Sequence, residues 1–205
     1  MVIRRFENTD AQRTFEMIAH TLRTVNIKDY SPQYIEDTVA QLVPDVLIER
    51  RANSHMYVIC DGEKIIACGA VAGFWGSETE SILLTIFVHP DYQGKGVGRK
   101  LIETLESDEY FLRADRIEIP ASITAVGFYQ KMGYNYKNGI STPDEEQHVR
   151  LEKFRKYKNT LWNNHSVFYF FRFPARCRYC FLLHTDKSFW LLQYLQQKCL
   201  QTQIL

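Results

Sequence analysis

A glycine-rich segment between an apolar run and a helix limits the possible folds of this chain more than any other feature. Residues 81–88, SILLTIFV, have the length and apolar character of a central strand buried on both faces. Gly94, Gly96 and Gly98 follow within five positions, and apolar residues at helical spacing occupy 101–105. Such glycines let successive N–H groups point into one concavity, to which a helix adds its positive N-terminal end. We predict a strand–turn–helix unit that binds a pyrophosphate or a similar anion.

Two common phosphate-binding motifs do not fit this segment. The Walker motif needs four residues between its first glycine and Gly-Lys-Ser/Thr, whereas Arg99 follows Gly98. The dinucleotide fingerprint needs its third glycine one residue later than it occurs here, and no first βα unit precedes the segment. The remaining alternative is an ordinary glycine-rich loop without a ligand.

The rest of the chain up to residue 154 alternates strand and helix patterns. Strand patterns occupy residues 2–6, 56–60, 65–74, 81–88, 116–120, 134–136 and 148–154. One helix ends near Thr24, a second begins at Ser31-Pro32, a third follows the glycines, and a fourth is capped by Ser122 and runs through Met132. A further short helix through Leu47 also fits. The order β-α-α-β-β-β-α-β-α-β-β predicts a mixed α/β domain with three antiparallel strands in series.

Charge and composition divide the chain near residue 155. Residues 1–154 contain 17 Lys and Arg against 23 Asp and Glu, whereas residues 155–205 contain 8 against 1. The second segment has no glycine and holds 12 of the 28 aromatic residues. We therefore predict a domain at residues 1–154 and a basic, aromatic C-terminal extension of unknown role at residues 155–205.

Three interpretations of this extension stay open. Cys177, Cys180, His184 and Cys199 are zinc-ligand residue types, although the last spacing is irregular. Basic residues interleaved with aromatic ones also suit nucleic acid or an anionic membrane surface. We favour an extension acquired outside the domain, so we expect no metal and no nucleic-acid partner.

Cysteine usage and hydropathy bear on the cellular compartment. Five cysteines, an odd number, and an N-terminus without an apolar signal region predict reduced thiols and a cytoplasmic location. Cys60 and Cys68 lie on strand patterns, where we expect buried thiols. No run of 18 apolar residues occurs, so we expect no membrane-spanning helix.

Two motifs resemble one family of enzymes. Gln93, Gly96 and Gly98 match the signature Gln/Arg-x-x-Gly-x-Gly/Ala of the Gcn5-related N-acetyltransferase (GNAT) superfamily, and VHPDYQGKGVGRKLIETL at residues 88–105 is similar throughout. A second family pattern is matched by ASITAVGFYQKMGY at residues 121–134. The resemblance covers residues 2–154 and is that of a small bacterial-type acetyltransferase. It implies a central mixed, mostly antiparallel sheet flanked by helices.

The resemblance also implies acetyl-coenzyme A as cosubstrate. The backbone of Ile86, Phe87 and Val88 is expected to pair with the pantetheine arm, and backbone N–H near Val88 to stabilise an oxyanion. The pyrophosphate is expected at the amides of Gln93, Gly94, Lys95, Gly96, Val97, Gly98 and Arg99. Ser122 is expected to touch the cofactor through its hydroxyl, although helix capping alone also explains it.

Tyr129 and a glutamate are the expected catalytic groups. The resemblance implies that the Tyr129 hydroxyl is the acid that protonates the leaving thiolate. A phenol with a pKa of ~10 stays protonated at neutral pH and can donate. The alternative for Tyr129 is a packed core residue. Glu80, or Glu78 beside it, is the expected general base, unless both are solvated turn residues. His89 lies where the strand ends, and we interpret it as structural.

Two segments and the charge of the domain bear on the identity of the acceptor. In this superfamily the acceptor is set by the segments that correspond to residues 24–44 and 138–147. The acidic domain favours a small cationic amine that attacks directly in a ternary complex. The alternatives are a catalytically silent acetyl-coenzyme A-binding module and a protein or peptide N-acetyltransferase. Both a monomer and a homodimer are compatible with the sequence.

Overall fold

Seven strands form one mixed sheet in the computed structural model, which describes residues 1–155 of the chain. The strands are β1 (Val2–Arg5), β2 (His55–Asp61), β3 (Lys64–Gly73), β4 (Glu80–Val88), β5 (Arg116–Ala121), β6 (Asn135–Tyr136) and β7 (Val149–Phe154). Their order across the sheet is β1-β2-β3-β4-β5-β7-β6. Among these strands only β4 and β5 pair in parallel; the other neighbours are antiparallel. The predicted mixed, mostly antiparallel sheet is therefore confirmed.

Six α-helices accompany this sheet in residues 1–155. They are α1 (Ala11–Thr24), α2 (Pro32–Gln41), α3 (Pro44–Ala52), α4 (Val97–Glu106), α5 (Glu109–Arg113) and α6 (Val126–Lys131). The Ser31 side chain accepts a hydrogen bond from the Tyr34 N–H, which is the expected cap of α2. Sequence periodicity does not predict α5, because five residues are too few for an apolar period to stand out.

Two apolar clusters hold the helices against the sheet. One contains Ile18, Ile35 and Leu47 of α1, α2 and α3, together with Val58 and Ala70 of β2 and β3. The other consists of residues of α4, α5 and α6 with inward-facing strand residues, among them Leu101, Ile102, Leu105, Phe111 and Tyr129. The two helix groups thus lie on opposite faces of the sheet. Residues 65–72 of β3 are buried throughout, since both faces of this strand are covered.

Strand β4 is buried only in its first part, which corrects the expectation of a strand buried along its length. Residues Ser81–Leu83 are buried, whereas residues 84–88 are half-buried. Pairing with β5 covers only residues 80–82 of β4 against 116–118 of β5. Beyond that point the described strands give β4 no hydrogen-bonded neighbour on its β5 side. A cleft edge therefore opens along the second half of β4.

A bulge lies at the start of this open half. The register between β3 and β4 shifts between Cys68 and Ala70, and Thr85 adopts a left-handed conformation with φ of 54°. This is an uncommon conformation for a β-branched residue. The bulge bends β4 where its pairing with β5 has ended.

Two local predictions need correction. Ser122 stands at the N-cap position but its side chain makes no capping hydrogen bond, and a 3-10 turn (Ile123–Ala125) precedes α6. The helix predicted from Ser122 to Met132 is therefore shorter, and Ala125 rather than Ser122 is its N-cap. Cys60 is half-buried rather than buried, whereas Cys68 is buried as expected. Cys60 belongs to β2 next to the edge strand β1, which leaves it partly uncovered.

Within residues 1–155, no helix combines the length and apolarity that a membrane crossing would require. The expectations for the extension fall outside the described residues, including the zinc alternative built on Cys177, Cys180, His184 and Cys199. The boundary near residue 155 remains a prediction.

Candidate active site

The open half of β4 leads directly into the glycine-rich turn. Gly94 and Gly96 adopt left-handed φ angles of 72° and 82°. A Cβ atom added at either position would meet nothing within 4 Å, so the space in front of both is open. An extended ligand with an anionic end fits an unpaired strand edge that continues into such a turn.

Helix α4 begins directly after the turn and supplies N–H donors. Gly96 is its N-cap and offers no side-chain acceptor. The first intrahelical bond runs from the Lys100 N–H to the Gly96 carbonyl at 3.0 Å. The amides of Val97, Gly98 and Arg99 precede it and therefore have no acceptor within the helix. These donors and the helix dipole fit a diphosphate group.

Gln93 and Gly98 have different roles from the two left-handed glycines. The Gln93 side chain donates to the Val88 carbonyl at 3.0 Å, and its backbone N–H donates to the Pro90 carbonyl at 3.2 Å. Both groups hold the turn itself. A Cβ atom on Gly98 would lie 3.2 Å from Phe128 Cζ, so glycine at this position lets α4 and α6 approach. The part of the turn that is open to a ligand therefore begins at Gly94.

Tyr129 lies on α6, in the cluster that packs α4 against the sheet. It is 4% exposed, and its ring contacts those of Phe128 and Tyr134. Its hydroxyl makes no hydrogen bond to any other residue of the described domain. Burial raises the pKa of Tyr129, which keeps the phenol protonated at neutral pH. A protonated hydroxyl without a protein acceptor in this domain is suited to donate its proton to a ligand.

Glu80 does not lie near the open half of β4. It begins the strand, within the part that pairs with β5, and its carboxylate forms an ion pair with Arg116 at 3.2 Å. Val88 lies eight positions further along β4, a distance of about 26 Å along an extended strand. Glu78 precedes the strand and is exposed. The structure thus does not bring either glutamate to the cleft.

His89 is packed where β4 ends. The backbone N–H of His89 donates to the Ile66 carbonyl at 2.8 Å, and its ring Nδ1 accepts from the Asp91 backbone N–H at 3.2 Å. Burial, with Lys64 nearby, lowers the pKa of His89. These bonds end the strand and begin the turn, in agreement with the structural interpretation.

The two segments expected to bind the acceptor lie side by side. The Tyr30 hydroxyl donates to the Gln147 carbonyl at 3.1 Å and accepts from the Ile123 N–H at 2.8 Å. The Tyr34 hydroxyl donates to the Glu146 carbonyl at 3.0 Å, and the two tyrosine rings stack 4.8 Å apart. Tyr30 therefore connects the loop before α2, the loop before β7 and the turn that follows Ser122.

The loop before β7 is acidic and partly neutralised. Asp144, Glu146 and His148 place potential ligand atoms within 4.8 Å of one another. Arg150 forms ion pairs with the carboxylates of Asp144 and Glu146. Its Nε lies 2.5 Å from Asp144, and its Nη2 lies 2.6 Å from Glu146. The chemistry of this loop is therefore that of an internal ion-pair network. Glu145 between them makes no ion pair within the described residues.

A cation lies beside the bulge at a position that the sequence does not reveal. Arg50, on α3, is half-buried, and its Nη1 donates to the Thr85 hydroxyl at 2.5 Å. The Cys68 thiol donates to the Thr85 carbonyl at 3.3 Å. Thr85 is the one polar residue in the run ILLTIFV, which is the sequence signal that marks this position. Nothing in the sequence connects it with Arg50, 35 residues earlier.

A buried carboxylate stands where β4 and β5 separate. Glu118, the last β5 residue that pairs with β4, has a side chain only 3% exposed and bonds to Arg116 and to Lys137, the latter at 2.8 Å. Burial alone would raise the pKa of Glu118, but Lys137 and Arg116 outweigh it and lower the pKa. This network lies at the point where the cleft opens.

We expect Glu118→Gln to lower the free energy of unfolding by about 3 kcal/mol, because three cations (Arg116, Lys137 and Arg150) lose a buried partner. The contribution of Glu118 is complete at neutral pH and is lost as the pH falls below about 4.5, since the folded-state pKa is the lower one. Urea unfolding at pH 7 and at about pH 3.5 measures both effects, and the difference between variant and wild type should shrink at the lower pH. The exposed Glu145→Gln serves as control and should change stability little. Equal stability of Glu118→Gln and wild type at pH 7 would contradict this prediction.

Comparisons with known proteins agree with this geometry. Residues 52–136 match the model of the acetyltransferase (GNAT) domain. An aminoglycoside N(6')-acetyltransferase type 1 of Klebsiella pneumoniae is 26% identical over 123 residues, which cover 54% of this chain and 61% of the relative. The same description and figures apply to a relative from Serratia marcescens. The chain thus matches about three fifths of the length of these curated relatives.

Solved structures share the fold at low identity. The PaiA N-acetyltransferase of Thermoplasma acidophilum in complex with coenzyme A has a TM-score of 0.64 at 18% identity, covering 75% of this chain and 98% of the other. A GCN5-related N-acetyltransferase of Rhodopseudomonas palustris has a TM-score of 0.61 at 20% identity, covering 75% and 95%. Residues 52–136 thus match the GNAT acetyltransferase domain, and the fold of residues 1–155 is that of these solved GNAT structures.

Proposed function

We propose that the chain is an acetyl-coenzyme A-dependent N-acetyltransferase that acetylates a primary amine within a ternary complex. The observation that carries the proposal is the open edge of β4, which continues into left-handed glycines at the N-terminus of α4. The match of residues 52–136 to the GNAT acetyltransferase domain and the aminoglycoside acetyltransferase relatives support the same activity.

Residues of this chain would hold acetyl-coenzyme A at two places. The backbone of Ile86–Val88 would pair with the pantetheine arm, because none of the described strands adjoins this edge. The amides from Gly94 to Arg99 would bind the pyrophosphate. When bound, acetyl-coenzyme A supplies an activated acyl thioester. The protein then mainly orients the amine and manages two protons.

In this reaction Tyr129 would act as the acid that protonates the leaving group. The amine nitrogen attacks the thioester carbonyl carbon, the carbon–sulfur bond breaks, and the departing sulfur takes the proton of the Tyr129 hydroxyl. The attacking nitrogen loses a proton to water, and Tyr129 regains one from solvent. Because Glu80 is bound to Arg116 at the far end of β4, we do not assign it the role of base.

The acceptor we propose is a small molecule with cationic character. The loop with Asp144, Glu145 and Glu146 carries three carboxylates against the single guanidinium of Arg150, and it lies beside the loop before α2. An acidic surface there would concentrate a cationic amine. The aminoglycoside relatives act on small molecules of this kind by their names, which supports the class but not a particular compound.

Free-thiol release from acetyl-coenzyme A, followed with a panel of polyamines, amino sugars and peptides, tests the proposal. We expect release that depends on small amines. Coenzyme A binding without release for any acceptor would favour a silent binding module, and release with peptides alone would favour a peptide acetyltransferase. Absence of coenzyme A binding by calorimetry would overturn the proposed function itself.

A further prediction concerns residues 157–205. We expect a chain that ends at Lys156 to keep kcat/KM within a few-fold, because the motifs and all proposed cofactor contacts precede residue 155. Removal of FYFFRF at residues 168–173 also deletes an apolar, β-prone segment, so aggregation should decrease. Steady-state kinetics and light scattering measure the two effects. Loss of coenzyme A binding in the shortened chain would contradict the domain boundary at residue 154.

A further inference from the structure

Arg50 is a half-buried cation without an anionic partner in the described domain. Its guanidinium bonds to the neutral Thr85 hydroxyl, and no carboxylate of residues 1–155 lies within ion-pair distance of it. Burial lowers the pKa of Arg50, and no carboxylate of these residues offsets that effect. Two other partly buried arginines, Arg116 and Arg150, each bind at least two carboxylates, and the half-buried Arg4 binds Asp10. An unpaired buried charge is costly unless a ligand compensates it.

The surroundings of Arg50 place this charge at the cleft. Thr85 directly precedes Ile86–Val88, the proposed pantetheine-binding segment, and the pyrophosphate turn lies at the other end of that segment. The thioester end of the arm would therefore lie toward Thr85. Arg50 approaches Thr85 from α3, on the face of the sheet opposite to Tyr129. An amine that attacks the thioester from the α3 face would displace the sulfur toward the opposite face, on which Tyr129 lies.

A guanidinium has five N–H donors in a planar fork, and Thr85 uses one of them. The remaining donors suit the two oxygens of a carboxylate. No anionic group of coenzyme A is near its thioester, so the anion would come from the acceptor.

We propose that Arg50 is a specificity-determining residue that binds a carboxylate of the acceptor, so that the preferred substrates are amines that also carry a carboxylate, as amino acids do. The proposal rests on the proposed acetyltransferase function. It refines the acceptor class: a basic amino acid such as lysine offers an ammonium group to the acidic loop and a carboxylate to Arg50. The thiol of Cys68 plays no part, because burial raises its pKa to about 12.

Matched acceptor pairs that differ only in the carboxylate test this inference. The pairs are lysine with cadaverine, phenylalanine with phenethylamine, and methionine with 3-methylthiopropylamine. We expect the wild type to favour the carboxylated member of at least one pair by about 10- to 100-fold in kcat/KM, mainly through KM. Arg50→Gln should remove this preference and leave the decarboxylated amines almost unaffected. Arg50→Lys should restore part of it.

The neighbouring Arg51→Gln is the matched control, since Arg51 is exposed and its Nε donates to the Phe6 carbonyl at 3.1 Å, away from Thr85. It should keep the wild-type preference. A fall in kcat by the same factor for both members of every pair would mean that Arg50 only supports the Thr85 bulge, and would overturn the proposal. A wild type that favours the decarboxylated amines would overturn it as well.

A binding measurement makes the test independent of turnover. With coenzyme A present, N-acetyl-lysine in its α and ε forms is compared with N-acetylcadaverine by calorimetry, and the corresponding N-acetyl products of the other two pairs are titrated likewise. We expect tighter binding of a carboxylated product, lost in Arg50→Gln. Coenzyme A binding without any Arg50-dependent difference overturns the carboxylate site and leaves the proposed function standing. Failure to bind coenzyme A overturns the proposed function instead.

Discussion

Gly96→Asp is expected to weaken coenzyme A binding by at least ~100-fold. The substitution places a carboxylate in the open space in front of Gly96, where the pyrophosphate is proposed to bind. Two like charges about 4 Å apart repel by about 4 kcal/mol at an effective dielectric constant near 20, so even a partly screened contact gives this loss. Isothermal titration calorimetry with coenzyme A measures the effect, and the repulsion should decrease at high salt.

Two controls separate charge from backbone strain. Gly96→Asn adds a side chain of the same size without charge, and asparagine tolerates the left-handed conformation with φ of 82° better than most residues. It should therefore bind coenzyme A at least ~10-fold better than Gly96→Asp. Gly76 is also left-handed, with φ of 71° and open space where a Cβ would lie, but it belongs to the hairpin between β3 and β4. Gly76→Asp should bind coenzyme A as the wild type does; equal losses at the two glycines would point to general destabilisation.

The parts of the fold that depend on local chemistry are predictable from sequence. Pro32 after Ser31 begins α2, Gly133 adopts the left-handed φ of 88° expected after a helix, and the turn with Asp61-Gly62 joins β2 to β3. Each signal acts within a few residues, through a fixed φ angle or a side-chain cap. The glycine-rich turn belongs to the same class, because its conformation follows from Gly94 and Gly96 themselves.

The cleft is not predictable in the same way, because it depends on where pairing between strands ends. The run at residues 81–88 is apolar along its whole length, yet only its first part is buried, since β5 leaves β4 after Ile82. Apolar character in the second half is compatible with a ligand-facing edge as well as with a buried strand. The sequence contains no signal that separates these two cases.

Long-range contacts explain the remaining differences. Glu80 is a reasonable candidate for the base by its place on the strand, but Arg116, 36 residues later, holds its carboxylate. The contact between Arg50 and Thr85 spans 35 residues, and the one between Tyr30 and Gln147 spans 117. Such pairs are determined by packing of the complete domain. They bring together the segments that we propose to bind the acceptor, for which sequence patterns offer only a choice of loops.

Tyr129→Phe is expected to lower kcat by ~10²-fold or more, with little change in coenzyme A affinity. The ring packs among Phe128 and Tyr134 in the cluster under α4, so phenylalanine preserves the packing and removes only the proton donor. Stopped-flow or steady-state thiol release gives kcat, and calorimetry gives the affinity. Because burial raises the pKa of Tyr129, wild-type kcat should not fall through loss of this proton until the pH exceeds ~10.

Tyr134→Phe is the matched control for this role. Tyr134 is another buried tyrosine of the same cluster, but its hydroxyl donates to Glu106 Oε1 at 3.0 Å, and Lys153 bonds to the same oxygen at 2.7 Å. Loss of this hydroxyl leaves Glu106 paired, so Tyr134→Phe should keep nearly wild-type kcat. If Tyr129→Phe also keeps it, solvent or another group supplies the proton, and the hydroxyl of Tyr129 has no catalytic role. If both variants lose activity together with stability, the effect belongs to the packing of α6, which thermal unfolding of the two proteins would reveal.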